Sequence, residues 1–240
     1  MGNDQHVVNM VQYLLVADQK KLPVKRADIV RHSIPDNAKE FNEIFSAAKA
    51  ALLNVFGLKV KETPEKNCYI LVTVIRDANL WRPEITSQID QTHGLLIPIL
   101  SVIFMNGGET REENLWKFLS KMGLTSETKL THNHTSITLK DLLHSIWPRH
   151  LYLAREDIGK NEKKEYMFSW GFRAEHEINK LDLIKWVCEV YGDGYEPHMF
   201  KIQYKKAVNH DTMLNSLDKD SGEEDESEPN ETESEQEIDL

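Results

Sequence analysis

Residues 11–30 read VQYLLVADQKKLPVKRADIV: an apolar helical segment, a short polar break and the start of a second helix. At 100° per residue, the apolar positions of the first helix cover a stripe about 160° wide, whereas packing on one core needs only about 100°. These positions are Val7, Val8, Met10, Val11, Leu14 and Leu15. Two interpretations follow: either the helix is buried on most sides by its own domain, or Leu14 and Leu15 face a partner protein.

Three helices are predicted in the region around this stretch. The first covers residues 6–17, and Pro23 fits the first turn of the second, where its missing N–H group costs no hydrogen bond. Asp36 or Asn37 caps the third helix, and Glu40 lies three residues after Asn37, as a capping box requires.

After Gly57, which is predicted to end the third helix, the pattern changes from helix to strand. Residues 58–62 alternate between apolar and polar, and residues 68–75 are rich in β-branched side chains. Three helices followed by a hairpin is the order of a winged helix. We therefore predict a first winged-helix unit, unit A, over residues 1–78 and a linker over residues 79–91.

The same order recurs in residues 92–208, where we predict a second winged-helix unit, unit B. It opens with an apolar helix at residues 93–106 that contains Pro98, which should kink this helix or mark its true start. Residues 125–137 form either a small hairpin or a flexible loop. The fold class predicted is mainly α, with small β-hairpins in tandem winged-helix units.

Two capping boxes indicate where further helices of unit B begin. Thr110 pairs with Glu113, and Thr138 pairs with Asp141, each with an acid three residues after the threonine. Pro148 is expected to end the second of these helices. A second hairpin is then predicted from two segments, residues 149–155 and 164–170, before a last helix at residues 179–191.

The formal charge of −10 comes from the C-terminal region. Residues 209–240 contain 13 acidic residues and one basic residue, whereas the residues before them contain 26 acidic and 28 basic residues. The region has no aromatic residue and too few apolar ones to offset the entropy of ordering. It is predicted to be a disordered acidic tail.

No feature of the sequence indicates secretion or a membrane span. The two cysteines are too few for a disulfide framework, and the first residues lack the charge and apolar pattern of a signal peptide. The longest apolar run, residues 95–105, is too short to cross a bilayer. The expectation is a soluble protein in a reducing intracellular compartment.

Enzyme signatures are absent from the sequence. It has no phosphate-binding loop, no dinucleotide-binding glycine motif, no zinc-protease motif and no hydrolase nucleophile motif. His132 and His134 are spaced to face one side of a strand, but no third ligand lies close by. We therefore predict no enzymatic activity, no metal, no cofactor and no small-molecule substrate.

Basic residues collect in segments that can neutralise phosphates without reading sequence. The predicted third helix of unit A is a poor reader of bases because Lys39 and Lys49 are accompanied by Glu40 and Glu43. Solvated surface is the alternative role for the basic segments. The residues predicted to contact the backbone of duplex DNA, weakly and non-specifically, are Lys20, Lys21, Lys25, Arg26, Arg149, Arg155, Lys163 and Lys164.

Six blocks of the sequence, in this order, resemble the melanoma-antigen (MAGE) homology domain. They are VQYLLVADQKKLPVKRADIV, NVFGLKVKE, YILV, HGLLIPILSVIFMNGG, ENLWKFLSKMG and YMFSWGFRAEHE, and the resemblance covers about residues 7–206. It implies the same tandem winged-helix fold. The sequence departs from the family at Phe172, where members usually carry a proline, so the detail of that turn is left open.

The resemblance implies a non-enzymatic adaptor that binds and stimulates a RING-type ubiquitin ligase. The family's dileucine falls on Leu14 and Leu15, and we add the neighbouring Val11 to the predicted RING-binding site. The family also implies a site in unit B for a kleisin, the bridging subunit of a chromosome-maintenance complex. The residues predicted to bind it are Leu96, Ile99, Ile103 and Trp186.

Because no long extensions flank the matching blocks, the resemblance is to the family's ancestral type, a subunit of the Smc five–six complex. That complex implies roles in DNA repair and recombination, and a nuclear, chromosome-associated protein that is also cytoplasmic. The alternative is a free-standing winged-helix transcriptional regulator that binds DNA sequence-specifically.

Overall fold

The computed structural model describes residues 2–74, 91–132, 135–159 and 164–220. Their buried apolar side chains form two clusters, one from residues 10–71 and one from residues 96–207. Each cluster is the core of one winged-helix unit, so the tandem architecture predicted from the sequence is confirmed.

Unit A consists of three main helices and a three-stranded antiparallel sheet. In chain order its elements are α1 (Gly2–Asp18), β1 (Val24–Lys25), α2 (Arg26–Ser33), a 3-10 turn (Ala38–Glu40), α3 (Phe41–Phe56), β2 (Leu58–Glu62) and β3 (Cys68–Thr73). The strand order is β1-β3-β2, and Val60 of β2 lies opposite Leu71 of β3. Gly57 ends α3 as predicted, because its φ of 61° lies in the left-handed region that glycine adopts without strain.

The starts of the second and third helices differ from the prediction. Pro23 opens no helix; it precedes β1, whose Lys25 pairs with Cys68, and α2 begins only at Arg26. Asn37 makes no capping bond, because its amide group lies 3.1 Å from the Nε2 atom of His6 on α1. Long-range contacts therefore displaced both local signals.

Unit B repeats this order and adds elements at its end. Its elements are α4 (Gln91–Met105), β4 (Glu109–Arg111), α5 (Glu112–Lys121), β5 (Lys129–His132), β6 (Thr135–Thr138), α6 (Leu139–Asp141), a π-helical turn (Leu142–Ile146), α7 (Trp147–Arg149), β7 (Leu153–Asp157), β8 (Tyr166–Trp170), α8 (Phe172–Glu177), α9 (Lys180–Tyr191), a 3-10 turn (Pro197–Met199) and α10 (Lys201–Asp220). The sheet order β4-β8-β7 is the counterpart of β1-β3-β2. The segment left open between loop and hairpin contains the β5–β6 hairpin.

Of the two predicted capping boxes in unit B, one forms and one does not. The Thr138 hydroxyl accepts the N–H of Asp141 at 3.1 Å, as predicted. Thr110 instead lies buried in β4 opposite Phe168, and α5 starts after Arg111 without a side-chain cap. The pairing of a three-residue strand therefore overrode the local signal.

The two prolines predicted to affect helices of unit B both lie inside helical segments. Pro98 lies inside α4, which starts upstream at Gln91, so Pro98 does not mark its start. Pro148 does not end the helical segment, which continues through α7 to Arg149. It occupies the first turn of α7, where its missing N–H group costs nothing.

The C-terminal region begins with order rather than disorder. Residues 209–220 belong to α10, although the sequence led us to expect a disordered tail from residue 209. Ala207 and His210 are both buried against the rest of unit B, so this helix gains contacts that its composition does not reveal. The remaining tail, residues 221–240, and most of the predicted linker lie outside the described residues.

Candidate partner-docking surfaces

Helix α1 divides its apolar side chains between the core and the surface. Met10 and Leu14 lie in the core of unit A, where α1 packs on α2 and α3, and Leu14 is only 1% exposed. Val11 is buried near the edge of this core, and Leu15 is half-buried. Of the predicted RING-binding residues, Leu15 is therefore the most accessible.

The outer face of α1 carries further exposed apolar residues. Val16 is 62% exposed and Val8 is 46% exposed. Tyr13 stacks on His32 of α2 with ring centroids 5.0 Å apart. The apolar surface of α1 that is open to a partner therefore centres on Leu15 and Val16.

A small apolar groove, with room for about one water molecule, opens beside the C-terminal end of α1. It lies between this helix, β1 and the β2–β3 hairpin, and Leu14 forms part of its wall. Its lining is apolar apart from Asp18 and the tyrosine hydroxyl, and consists of Leu14, Asp18, Leu22, Val24, Val60, Tyr69, Ile70 and Leu71. The groove and the exposed part of α1 together form the candidate docking surface of unit A.

The predicted kleisin-binding residues of unit B are mostly unavailable at the surface. Leu96, Ile99 and Ile103 are buried, because the face of α4 that they share packs against β8, α9 and α5. Trp186 of α9 is half-buried. The apolar periodicity of α4 identified the core of unit B, and only Trp186 of the set remains accessible.

A second group of exposed apolar side chains, which we did not predict, lies at the C-terminal end of unit B. Most of the large hydrophobic side chains that are exposed in the described residues lie on α9, α10 and the segment between them. We call this set the C-terminal apolar surface: Val190, Tyr191, Tyr195, Met199, Ile202, Tyr204, Val208 and Met213. The exposed Lys201, Lys205 and Lys206 are interspersed with its members on α10, so it suits a segment with apolar and acidic residues. The apolar positions within residues 195–208 are the sequence signal that could have predicted this set.

A polar network holds α10 against α8 and α9, and so fixes the C-terminal apolar surface. The Glu175 carboxylate lies 3.0 Å from Nε2 of His210 and 2.5 Å from Nζ of Lys180. Burial by itself raises the pKa of Glu175, but hydrogen bonds from His210 and Lys180 outweigh burial and lower the pKa below its usual value. Glu175 is thus held as a carboxylate that ties three helices together.

The predicted DNA-contacting residues differ in how free they are to meet a phosphate. The guanidinium of Arg155 stacks on Tyr166 and donates to the carbonyl of His144 at 2.8 Å, and that of Arg26 stacks on Phe41. Lys21 pairs with Asp18. Lys20, Lys25, Arg149 and Lys164 are exposed, and Lys163 lies outside the described residues.

The structure brings the basic segments of the two units to the contact between unit A and unit B around Arg173, which we call the seam. Arg173 of α8 donates to the carbonyl of Lys21 at 3.3 Å and to the carbonyl of His150 at 3.0 Å. The residues next to these carbonyls, Lys20 and Arg149, therefore flank the same contact. The sequence could not reveal this, because the two segments are far apart along the chain.

Within the described ranges, no group of three or more histidine, cysteine or acidic side chains is arranged to hold a metal ion. His132 lies with its Nδ1 atom 3.3 Å from the hydroxyl of Thr92, and His134 is outside those ranges. The same ranges contain no helix with the length and apolar character to cross a bilayer.

Comparison with known proteins gives a consistent match over both units. The sequence profile of the MAGE homology domain matches residues 10–181. The chain is 34% identical over 204 residues to the human non-structural maintenance of chromosomes element 3 homolog, covering 84% of this chain and 65% of that protein. It is 33% identical over 220 residues to human melanoma-associated antigen D4, covering 90% of this chain and 28% of that protein. The chain thus spans less than two thirds of the length of these two relatives.

Among solved structures, the chain matches one described as an Nse1-Nse3-Nse4 complex, with a TM-score of 0.74 and 32% sequence identity. The match covers 86% of this chain and 98% of the chain in that complex. The similarity therefore extends over both winged-helix units.

Proposed function

The chain belongs to the MAGE homology domain family, and from this premise we propose that it is a non-enzymatic adaptor subunit of an Smc five–six-type complex. The observation that carries the proposal is the match to nearly the whole of a chain in an Nse1-Nse3-Nse4 complex. The similarity to the human chromosome-maintenance element supports it. The protein would act in DNA repair and recombination on chromosomes in the nucleus, with a further pool in the cytoplasm.

The first partner in this proposal is a RING-type ubiquitin-ligase subunit, which the adaptor stimulates. It docks on the surface of unit A formed by Leu15, Val16 and the adjoining groove. Support comes from the 62% exposure of Val16 and from the apolar lining of the groove, since apolar surface left open by a folded unit favours a protein partner. In this proposal Leu14 contributes by shaping the groove wall.

A paired substitution tests RING docking. Val16→Asp places a charge on the outer face of α1, and Val55→Asp is the matched control because Val55, on α3 of the same unit, is 73% exposed. In a pull-down with the RING-type subunit of the same complex, we expect Val16→Asp to lose the partner and Val55→Asp to retain it. Equal retention by both variants would remove this surface from the proposal.

The second partner is a kleisin, which binds unit B on the C-terminal apolar surface. The concentration of exposed aromatic and aliphatic side chains there, interspersed with lysines, favours an amphipathic acidic segment of the partner. Ile202→Asp on α10 should abolish co-purification of the kleisin. Met122→Asp, at an exposed methionine of unit B outside this surface, is the control and should leave co-purification intact.

Duplex DNA is the third partner, bound weakly and through its backbone. The exposed basic residues beside the seam support this, because lysine and arginine side chains neutralise phosphates without sequence preference. The competing proposal is a free-standing regulator that reads DNA with α3. That helix exposes Lys49 but also Glu43, which repels phosphate. Steep loss of affinity with salt, equal for all duplexes, favours the adaptor; discrimination between duplexes favours the regulator.

A further inference from the structure

A single buried arginine joins the two winged-helix units. Arg173 on α8 of unit B is 0% exposed. Its Nη1 atom donates to the carbonyl of Leu71 at 2.6 Å, and its Nη2 atom donates to the carbonyl of Lys21 at 3.3 Å. Both acceptors belong to unit A, so a side chain of one unit is hydrogen-bonded to two backbone carbonyls of the other.

Unit B holds this side chain in place through separate contacts. The Nε atom of Arg173 donates to the carbonyl of His150 at 3.0 Å, and Nη1 lies 3.1 Å from a carboxylate oxygen of Glu177. The second oxygen of that carboxylate accepts the hydroxyl of Tyr152 at 2.9 Å. Burial, together with the nearby Glu177 charge, raises the pKa of Tyr152, so its hydroxyl stays a donor. The guanidinium is therefore oriented toward unit A by its own unit.

The charged groups around Arg173 form one ion pair within each unit. Two acids and two bases meet here: Asp18 and Lys21 from unit A, and Arg173 and Glu177 from unit B. Lys21 pairs with Asp18 inside unit A, and Arg173 pairs with Glu177 inside unit B, whereas Arg173 lies 3.7 Å from Asp18 across the seam.

This pairing decides what happens when the units separate. A buried charge that loses its partner is strongly destabilising, because the energy of desolvation is no longer offset. Here each unit keeps its own neutral ion pair, so separation leaves none of these four charges without a partner. The losses include the two hydrogen bonds from Arg173 to carbonyls of unit A and the contact with Asp18, all of which water can replace, and the packing of α8 against β3.

We propose that Arg173 is a reversible latch that holds the two units in one orientation and can open while each unit stays folded. Closed, it fixes unit A against α8. Open, it leaves the Asp18–Lys21 pair on one unit and the Arg173–Glu177 pair on the other. This device is independent of the identity of any partner.

The latch also borders the docking surface of unit A. Asp18 and Leu71 both line the groove and both contact Arg173. A partner that covers the groove therefore lies against residues that hold the latch, and its binding shifts the balance between closed and open. This consequence rests on the proposed RING docking, whereas the latch itself is tested on the free protein.

The test measures the distance between the units in the 240-residue chain. Ser46→Cys on α3 and Ser120→Cys on α5 place spin labels at exposed positions of units A and B, while the native Cys68 and Cys188 are buried. Double electron–electron resonance should give a narrow distance distribution for the parent. Arg173→Met should broaden and shift this distribution. Arg155→Met, at an arginine whose contacts lie within unit B, should leave it narrow.

Two further measurements make each outcome decisive. Circular dichroism should show the helix content of the parent in Arg173→Met, because the proposal requires each unit to fold without the latch. Arg173→Lys keeps the charge but presents its donors from a single nitrogen, and it should broaden the distribution as well. An unchanged distribution in a folded Arg173→Met variant overturns the proposal, and so does loss of the helix content of both units.

Discussion

The Nη1 atom of Arg173 lies 2.6 Å from the carbonyl oxygen of Leu71, a residue 102 positions earlier in the chain. Leu71 is on the central strand of the sheet of unit A, and Arg173 is on the helix that follows the sheet of unit B. The contact therefore joins the sheet of one winged helix to the end of the other. The groove, the seam and both basic segments therefore lie close to this contact.

The first prediction concerns Gly171, which precedes α8 and positions Arg173. A methyl group added at Gly171 would lie 2.2 Å from the carbonyl oxygen of Leu151, so the backbone would have to move. We expect Gly171→Ala to lower the free energy of unfolding by about 2 kcal/mol or more. The control, Gly94→Ala, meets nothing within 4 Å on α4 and should be neutral or slightly stabilising. Urea denaturation measures both, and equal stability of the two variants would contradict the prediction.

The second prediction separates the two leucines of α1. Leu14→Ala should lower the free energy of unfolding by about 2–5 kcal/mol, because Leu14 is buried in the core of unit A. Leu15→Ala should cost clearly less, because Leu15 is only half-buried. Thermal and urea unfolding of the single variants give the comparison. A double-alanine variant therefore mixes loss of stability with loss of docking, and the Val16 substitution is the cleaner probe.

The third prediction is a pH dependence at the α8–α10 junction. The folded-state pKa of Glu175 lies below its usual value, because hydrogen bonds from His210 and Lys180 outweigh the effect of burial. A lowered folded-state pKa means that the unfolded chain binds the proton more readily. The stabilisation is therefore complete above the usual pKa near 4.5 and is lost as the pH falls through the folded-state value.

The free energy of unfolding, measured from about pH 6 to about pH 3, tests this prediction, because carboxylates titrate in that range. Glu175→Gln should show a flatter decline toward acid than the parent. Hydrogen exchange should show that protection of α10 falls first. An identical acid profile for parent and variant would show that Glu175 does not tie the helices together.

The fourth prediction concerns DNA at the seam. Lys20→Glu and Arg149→Glu should each weaken binding to any duplex, because both exposed residues flank the contact around Arg173. Each lost phosphate contact should reduce the slope of log affinity against log salt by about 0.9. Lys49→Glu, on the exposed face of α3, should have little effect. If Lys49→Glu is instead the most damaging variant, α3 enters the DNA and the regulator proposal gains.

The sequence by itself determined the elements that depend on local chemistry. Gly57 ends α3 because glycine adopts positive φ without strain, and Thr138 caps α6 because its hydroxyl reaches a nearby N–H group. Helical and alternating periodicity predicted both units, and the six blocks predicted the family. These signals arise within a few residues of one another, and no distant contact outweighs them.

Only the tertiary structure decided which apolar residues are core and which are surface. The periodicity of α1 and α4 identified apolar faces, but not that Leu14, Leu96, Ile99 and Ile103 would all be covered by other helices. The short strands β1 and β4 exist because a longer partner strand pairs with them. The meeting of Arg173 with Leu71 needed both units in place, since a hydrogen bond across more than a hundred residues leaves no periodic or spacing signal in the sequence.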